Sequence, residues 1–195
     1  MKKIEMVDLT SQYKEIEQEI QKSLNEVLQS TKFIKGPDVS DFERDLEEYL
    51  GVNNAIACGS GTDALQIALM SLELSPGDEI ITTDFTFAAT IEVILLLGLK
   101  PILVDIDPKT FNIDPNKAKE ALTKKTKAII PVHLFGQISD MDEILKIAKE
   151  NKLFIIEDNA QSLGSTYTFL NGKQKKAGSI GDIGTTSFFP SKNLG

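Results

Sequence analysis

A chain of 195 residues with 41% apolar content and no low-complexity tract can bury a core, which excludes a disordered or fibrous protein. Its net charge of −8 excludes a broad footprint for nucleic acid or an anionic membrane surface, so any anionic ligand must be held locally. The single cysteine, Cys58, excludes an internal disulfide framework and a Cys-rich metal site, in keeping with a cytoplasmic protein.

The opening Met-Lys-Lys-Ile-Glu-Met starts like a signal n-region, but no apolar segment follows before Asp8, Ser11 and Glu15. Tyr13, Ile16, Ile20, Leu24, Val27 and Leu28 then recur at helical spacing, and Val39, Phe42, Leu46, Tyr49 and Leu50 do so after the Gly36-Pro37 break. Residues 1–50 are therefore expected to form two amphipathic helices packing on a larger domain over residues 51–195. Arg44, the only arginine, lies in an acidic stretch of the second helix and is expected in a surface ion pair, not a substrate clamp.

From Asn54 short apolar runs alternate with longer helical ones. Strands are expected at Ala55 to Cys58, Glu79 to Thr82, Pro101 to Val104, Ala128 to Val132 and Leu153 to Ile156, with helices over 62–74, 86–97, 114–123 and 139–150. This alternation predicts an α/β fold with a mostly parallel sheet. Cys58, ending the first run, reads as a small core residue. The apolar run Val93 to Leu99 is far too short to span a bilayer, so a soluble protein is expected. Tyr167 to Leu170, the Asn171-Gly172 pair and Lys173 to Lys176 read as a hairpin. Ile183 to Phe189 reads as a final strand entering the Pro190-Ser-Lys192 loop. The chain stops just after that loop, as expected of a piece of a longer protein.

Three groups fall where an open α/β sheet gathers ligands, beyond the carboxyl ends of its strands. Gly59-Ser-Gly-Thr-Asp63 joins a strand to a helix. The helix-start amides of Gly61, Thr62 and Asp63 suit a phosphate, with glycines allowing close approach. The same residues also fit an ordinary N-cap at Ser60 or Thr62, or a G-x-G-x-x-A dinucleotide fingerprint with Asp78, Glu79 or Asp84 as the ribose acid. Asp158, in Glu157-Asp-Asn-Ala-Gln161, would seek a positive partner, for which a protonated pyridine nitrogen is suited. A carboxylate capping the next turn fits Glu157 or Asp158 equally well. Ser187 and Lys192 pair a hydroxyl for a phosphate oxygen with one of 20 lysines, here placed among Phe188, Phe189 and Pro190, whose burial would make its amine a Schiff-base nucleophile. Together the three groups describe pyridoxal 5'-phosphate. His133, the sole histidine, reads as packed and neutral. Asp105 and Asp107 read as turn residues.

The chain resembles the N-terminal portion of the DegT/DnrJ-type sugar aminotransferases, a branch of the fold-type I pyridoxal-phosphate enzymes. The resemblance rests on Val7-Asp-Leu, Phe33-Ile-Lys-Gly-Pro37, Gly61-Thr-Asp-Ala-Leu65, Thr86-Phe-Ala-Ala-Thr90, Val104-Asp-Ile-Asp107, Pro131-Val-His-Leu-Phe-Gly136, Glu157-Asp-Asn-Ala-Gln161 and Ser187-Phe-Phe-Pro-Ser-Lys-Asn-Leu-Gly195. It implies the three-layer αβα large domain of that fold, with a smaller C-terminal domain absent from this chain. It further implies Lys192 as the Schiff-base and proton-moving lysine, Asp158 on the ring nitrogen and Gln161 on the ring hydroxyl. Ser187 and the Gly61 to Asp63 amides would hold the phosphate, and Phe87 would stack on the ring. The residues alone place Phe87 as an aromatic on an apolar helix face, packed in the core.

By the same resemblance, the expected reaction moves an amino group from an amino acid, usually glutamate, to a keto-sugar nucleotide. UDP-linked 3-keto-hexuronates match the Ser60 to Gln66 and Ser187 to Lys192 runs best, with 4-keto and dTDP-linked sugars open within the same family. The setting would be cell-surface polysaccharide or amino-sugar biosynthesis, the assembly a homodimer in the full-length protein, and these residues alone poorly active. A non-catalytic cofactor-binding regulator and an NAD-dependent oxidoreductase are the competing readings.

Overall fold

In the computed structural model, residues 7–194 are described; the opening residues read above for a targeting signal, and Gly195 of the last motif, lie outside them. The chain divides into two compact units, one up to Ala57 and one from Cys58 onward.

The first unit holds α1 (Leu9–Ser30) and α2 (Pro37–Leu50). Asp8 caps α1 by accepting from the Ser11 N–H, while Gly36 and Pro37 start α2 and Gly51, at φ 68°, ends it in the left-handed region. Neither helix contains a buried residue. Arg44 pairs with Asp41 at 2.8 Å on the surface, as expected.

The Ala55 to Cys58 segment is not a strand. Its alternate N–H groups are taken by side chains of α2, Ala55 by Glu47 Oε1 at 2.9 Å and Ala57 by Glu43 Oε1 at 2.8 Å. Cys58 is exposed, which corrects its reading as a core residue.

The second unit is built on β1 (Glu79–Thr83), β2 (Lys100–Val104), β3 (Thr126–Ile130), β4 (Phe154–Asp158) and β7 (Ile183–Thr185). They form one sheet in the order β2-β1-β3-β4-β7, and every neighbouring pair is parallel. The hairpin β5 (Thr166–Thr168) and β6 (Gln174–Lys176) stands apart, turning through Asn171 and Gly172 as that pair predicts, with φ 81° at the glycine.

Period-2 alternation splits the strand residues between two faces. Ile80, Ala128, Ile130 and Ile156 pack with α3 (Gly61–Ser71) and α4 (Ala88–Leu96) through Leu65, Leu69, Val93 and Ile94. Ile81, Ile129 and Ile155 pack on the opposite side with α5 (Pro115–Glu120) and α6 (Met141–Asn151) through Ala118, Met141, Ile144 and Ile147. The result is the expected three-layer αβα sandwich. Each fully buried isoleucine contributes about 1.5–3 kcal/mol, which makes this sheet a rigid base for the groups at its carboxyl edge.

Three boundaries differ from expectation in ways that matter for the site. Strand β4 runs on through Glu157 and Asp158, so Asp158 is its last residue and pairs in register with Thr185. Strand β7 stops at Thr185, which leaves Ser187 to Phe189 in the following loop. Phe87 precedes α4 as its N-cap residue and is not on its face.

Candidate active site

Helix α3 begins with Ser60 as N-cap, its Oγ accepting from the Asp63 N–H at 3.1 Å and donating to Asp63 Oδ2 at 2.9 Å. The Asp63 amide is thus spent on the cap, and the first-turn donors left for an anion are those of Gly61 and Thr62. Gly61 is where another chain segment comes closest: a Cβ built there would lie 2.7 Å from Ser187 Cβ and 3.2 Å from Ser187 Oγ. Only glycine admits the Ser187 hydroxyl to the helix start. Two of the expected phosphate ligands, 126 positions apart, therefore share one spot.

Asp158 is 5% exposed. Its Oδ2 accepts from Thr90 Oγ1 at 2.8 Å and its Oδ1 from the Ala160 N–H at 3.2 Å. Burial pushes its carboxyl above the usual range, opposed by these two donors and by the nearby Lys192. A buried carboxylate with only neutral hydrogen-bond partners is short of positive charge.

Lys192 is half-buried and lines an open cleft of about 380 Å³ with Phe135, Gly136, Gln161, Ser191 and Asn193. Its loop is pinned by the Lys192 N–H donating to the Phe189 carbonyl at 2.7 Å. Gln161 is oriented in turn, its Oε1 accepting from the Phe135 N–H at 2.9 Å. Phe87 is 70% exposed, three residues before the threonine that holds Asp158.

Glu157 is the structural member of the carboxylate pair. It is fully buried, accepting from His133 Nε2 at 2.8 Å and from the N–H groups of Gly178, Ile180 and Gly181 at 3.0, 2.6 and 2.7 Å. His133 Nδ1 meets the Ser139 N–H at 3.3 Å and the Ser139 hydroxyl at 3.4 Å, so both ring nitrogens have partners in the interior. His133 is packed in the interior, away from the cleft.

The other candidates carry no chemistry. Asp107 Oδ1 accepts from the Lys109 and Thr110 N–H groups as a turn residue. The dinucleotide reading loses the strand that should precede Gly59. Of its ribose acids, Asp78 closes a turn on the Ser75 N–H and Glu79 pairs with Lys100 at 3.0 Å. Spacing had not revealed Thr90 or Thr86; their signal was a pair of hydroxyls four residues apart at the start of a helix.

The model of the DegT/DnrJ/EryC1/StrS aminotransferase family matches residues 14–195. The chain belongs to this family. Among curated relatives, the pleiotropic regulatory protein of Geobacillus stearothermophilus is 50% identical over 98% of this chain and 50% of its own length. The UDP-2-acetamido-2-deoxy-3-oxo-D-glucuronate aminotransferase of Pseudomonas aeruginosa is 46% identical over 98% of this chain and 52% of its own. The crystal structure of NtdA from Bacillus subtilis with bound cofactor PMP superposes with a TM-score of 0.83 at 47% identity, covering 91% of this chain and 39% of that one. The chain thus spans about half the length of the curated relatives it matches. Matches at this identity and TM-score establish the fold-type I large domain for this member of the DegT/DnrJ/EryC1/StrS family.

Proposed function

We propose that the protein is a pyridoxal-phosphate-dependent aminotransferase that moves an amino group from an amino acid, glutamate first, to a keto-sugar nucleotide. The observation that carries this reading is the convergence of Lys192 and Gln161 in one cleft with the charge of Lys192 acting on buried Asp158. The donor set fits the cofactor in charge and in space. Asp158 is an anion wanting a cation, and the Gly61 and Ser187 approach forms a cradle that any larger residue at 61 would fill.

When bound, pyridoxal phosphate supplies an aldehyde for amines and a cationic ring that accepts electrons from a neighbouring carbanion. Gly61 and Thr62 N–H groups with Ser187 Oγ would bind its phosphate, Asp158 would hold the ring-nitrogen proton, Gln161 would meet the ring hydroxyl, and Phe87 would cover a ring face. Lys192 Nζ would be the amine offered to the cofactor's aldehyde, and the same group would serve as the base for the proton on the amino acid's α-carbon.

For the acceptor, the likeness to an aminotransferase named for a UDP-linked 3-oxo-glucuronate supports a UDP-linked 3-keto-hexuronate, and a role in polysaccharide or amino-sugar biosynthesis. Among the described residues no helix is long and apolar enough to cross a membrane. A cytoplasmic setting is proposed on the family resemblance. A homodimer is the assembly the resemblance supports. The relative named as a pleiotropic regulatory protein favours a second reading, a cofactor-binding regulator.

Incubation with pyridoxal phosphate, borohydride reduction and peptide mapping test the site: the adduct is expected on Lys192, and an adduct confined to another lysine refutes the assignment. Release of up to one equivalent of 2-oxoglutarate per site from glutamate alone, and of many equivalents only when the keto-sugar nucleotide is present, separates the enzyme from the regulator.

A further inference from the structure

Inside a helix, a threonine hydroxyl can be spent on the backbone carbonyl four residues back. Thr90, fully buried in the first turn of α4, instead reaches across 68 residues to Asp158 Oδ2 at 2.8 Å. An ionised carboxylate can only accept, so the single Thr90 proton points at Asp158. The 2.8 Å contact between Thr86 Oγ1 and Thr90 Oγ1 is then donated by Thr86. The two hydroxyls form a directed chain, Thr86 to Thr90 to Asp158, in which the first bond polarises and strengthens the second.

The chain fixes geometry as well as charge. Thr90 occupies one lone-pair position on Oδ2 and the Ala160 N–H one on Oδ1, so each oxygen keeps one site for an external donor. The charged or titratable groups acting on Asp158 are Lys192 and His133. The His133 ring is committed to Glu157, and Lys192 belongs to the cleft. Neither donates a hydrogen bond to the Asp158 carboxylate, which leaves that task to the threonine chain and one amide.

We propose that Thr90, backed by Thr86, is a positioning residue that orients the Asp158 carboxylate and keeps it ionised for a cationic ring nitrogen. This rests on the reading of Asp158 given above and adds the group that makes it effective.

The test compares Thr90→Val, which removes the hydroxyl at constant shape, with Thr90→Ser, which keeps it. Infrared titration of the cofactor-free protein, with the carboxyl band assigned by its loss in Asp158→Asn, reads the Asp158 proton directly. In Thr90→Val the proton should bind about tenfold more tightly, one unit higher in pH, while Thr90→Ser stays within about threefold of wild type. Fluorescence titration with pyridoxal phosphate should show an affinity about tenfold weaker for Thr90→Val at neutral pH, with the loss widening as the pH falls and Asp158 protonates. An unchanged Asp158 titration in Thr90→Val overturns the proposal, as does an equal defect in Thr90→Ser, which would mark a packing role. If wild type itself fails to bind pyridoxal phosphate, the cofactor reading falls, and the infrared titration still decides whether Thr90 holds Asp158.

Discussion

Glu157 accepts four hydrogen bonds, from His133 Nε2 and the N–H groups of Gly178, Ile180 and Gly181, while Asp158, the next residue of β4, accepts two, from Thr90 and Ala160. Strand alternation sends the two side chains to opposite faces, one towards the loop that leads into β7 and one towards the start of α4. Burial raises the affinity of both carboxyls for a proton; at Glu157 the donors outweigh it and at Asp158 they do not. The same residue chemistry is thereby divided into a structural anchor and a group held ready for a cation.

Replacing Glu157 by Gln should destabilise the protein by about 3 kcal/mol at neutral pH, because the new amide NH2 faces backbone donors and leaves buried groups unpaired. The sign of the pH dependence follows from the lowered folded value. Ionised Glu157 stabilises the fold above the ordinary glutamate range, and that stability is lost as pH falls through the folded value. Urea unfolding should show the gap between wild type and Glu157→Gln narrowing in acid, below the ordinary glutamate range; a gap independent of pH would contradict the assignment.

Asp158 predicts the reverse. Its folded value is raised, so the native state binds the proton more tightly than the unfolded chain does, and stability falls as pH rises from the ordinary aspartate range through the folded value. Asp158→Asn should therefore raise the stability of the cofactor-free protein by about 1–2 kcal/mol at neutral pH, with the gain vanishing in acid. Asparagine fits because the hydroxyl chain can reverse, Thr90 accepting from the new amide and donating back to Thr86. Thermal unfolding without cofactor measures the gain, and loss of pyridoxal-phosphate affinity in the same variant measures its functional cost. A less stable Asp158→Asn protein would show that burial is not the dominant influence on Asp158.

Much of this arrangement was legible in the sequence because the strands carry simple signals. Glu79 to Thr82 and Leu153 to Ile156 are short apolar runs between helical patterns, and Asp158 ends a strand while Ser187 and Lys192 follow one, where α/β sheets gather ligands. The Ala55 to Cys58 run has the same texture and is not a strand. Its amides are claimed by Glu43 and Glu47, a side-chain choice that hydropathy does not record. Glu157 and Asp158 could not be told apart because both sit in β4, and only the packing around the strand assigns their faces. The bond from Thr90 to Asp158 joins residues 68 apart, beyond any local pattern.

Gly61→Ala tests the cradle at the start of α3. The added Cβ would meet Ser187 Cβ at 2.7 Å, so the loop after β7 must move. A cost of about 1–3 kcal/mol is expected from overpacking, with a larger proportional loss of affinity for pyridoxal phosphate than for pyridoxal, which lacks the phosphate. Adding Ser187→Gly removes the clash and should restore stability without restoring phosphate preference. If stability and preference return together, the Ser187 hydroxyl does not bind phosphate.

Phe87 separates function from folding most cleanly. At 70% exposure it contributes little to the core, and as the N-cap residue of α4 it makes no side-chain capping bond. Phe87→Ala should therefore leave unfolding free energy within about 0.5 kcal/mol of wild type. A ring that covers one face of a bound aromatic cation contributes about 0.5–1.5 kcal/mol beyond area alone, so cofactor affinity should fall about tenfold. Phe87→Tyr, which keeps the ring and adds a hydroxyl to an exposed edge, should bind nearly as wild type does. Fluorescence titration of the three proteins decides the matter: equal affinity in wild type and Phe87→Ala would return Phe87 to the ordinary exposed aromatics, whereas a loss recovered by tyrosine identifies the ring face as the binding element.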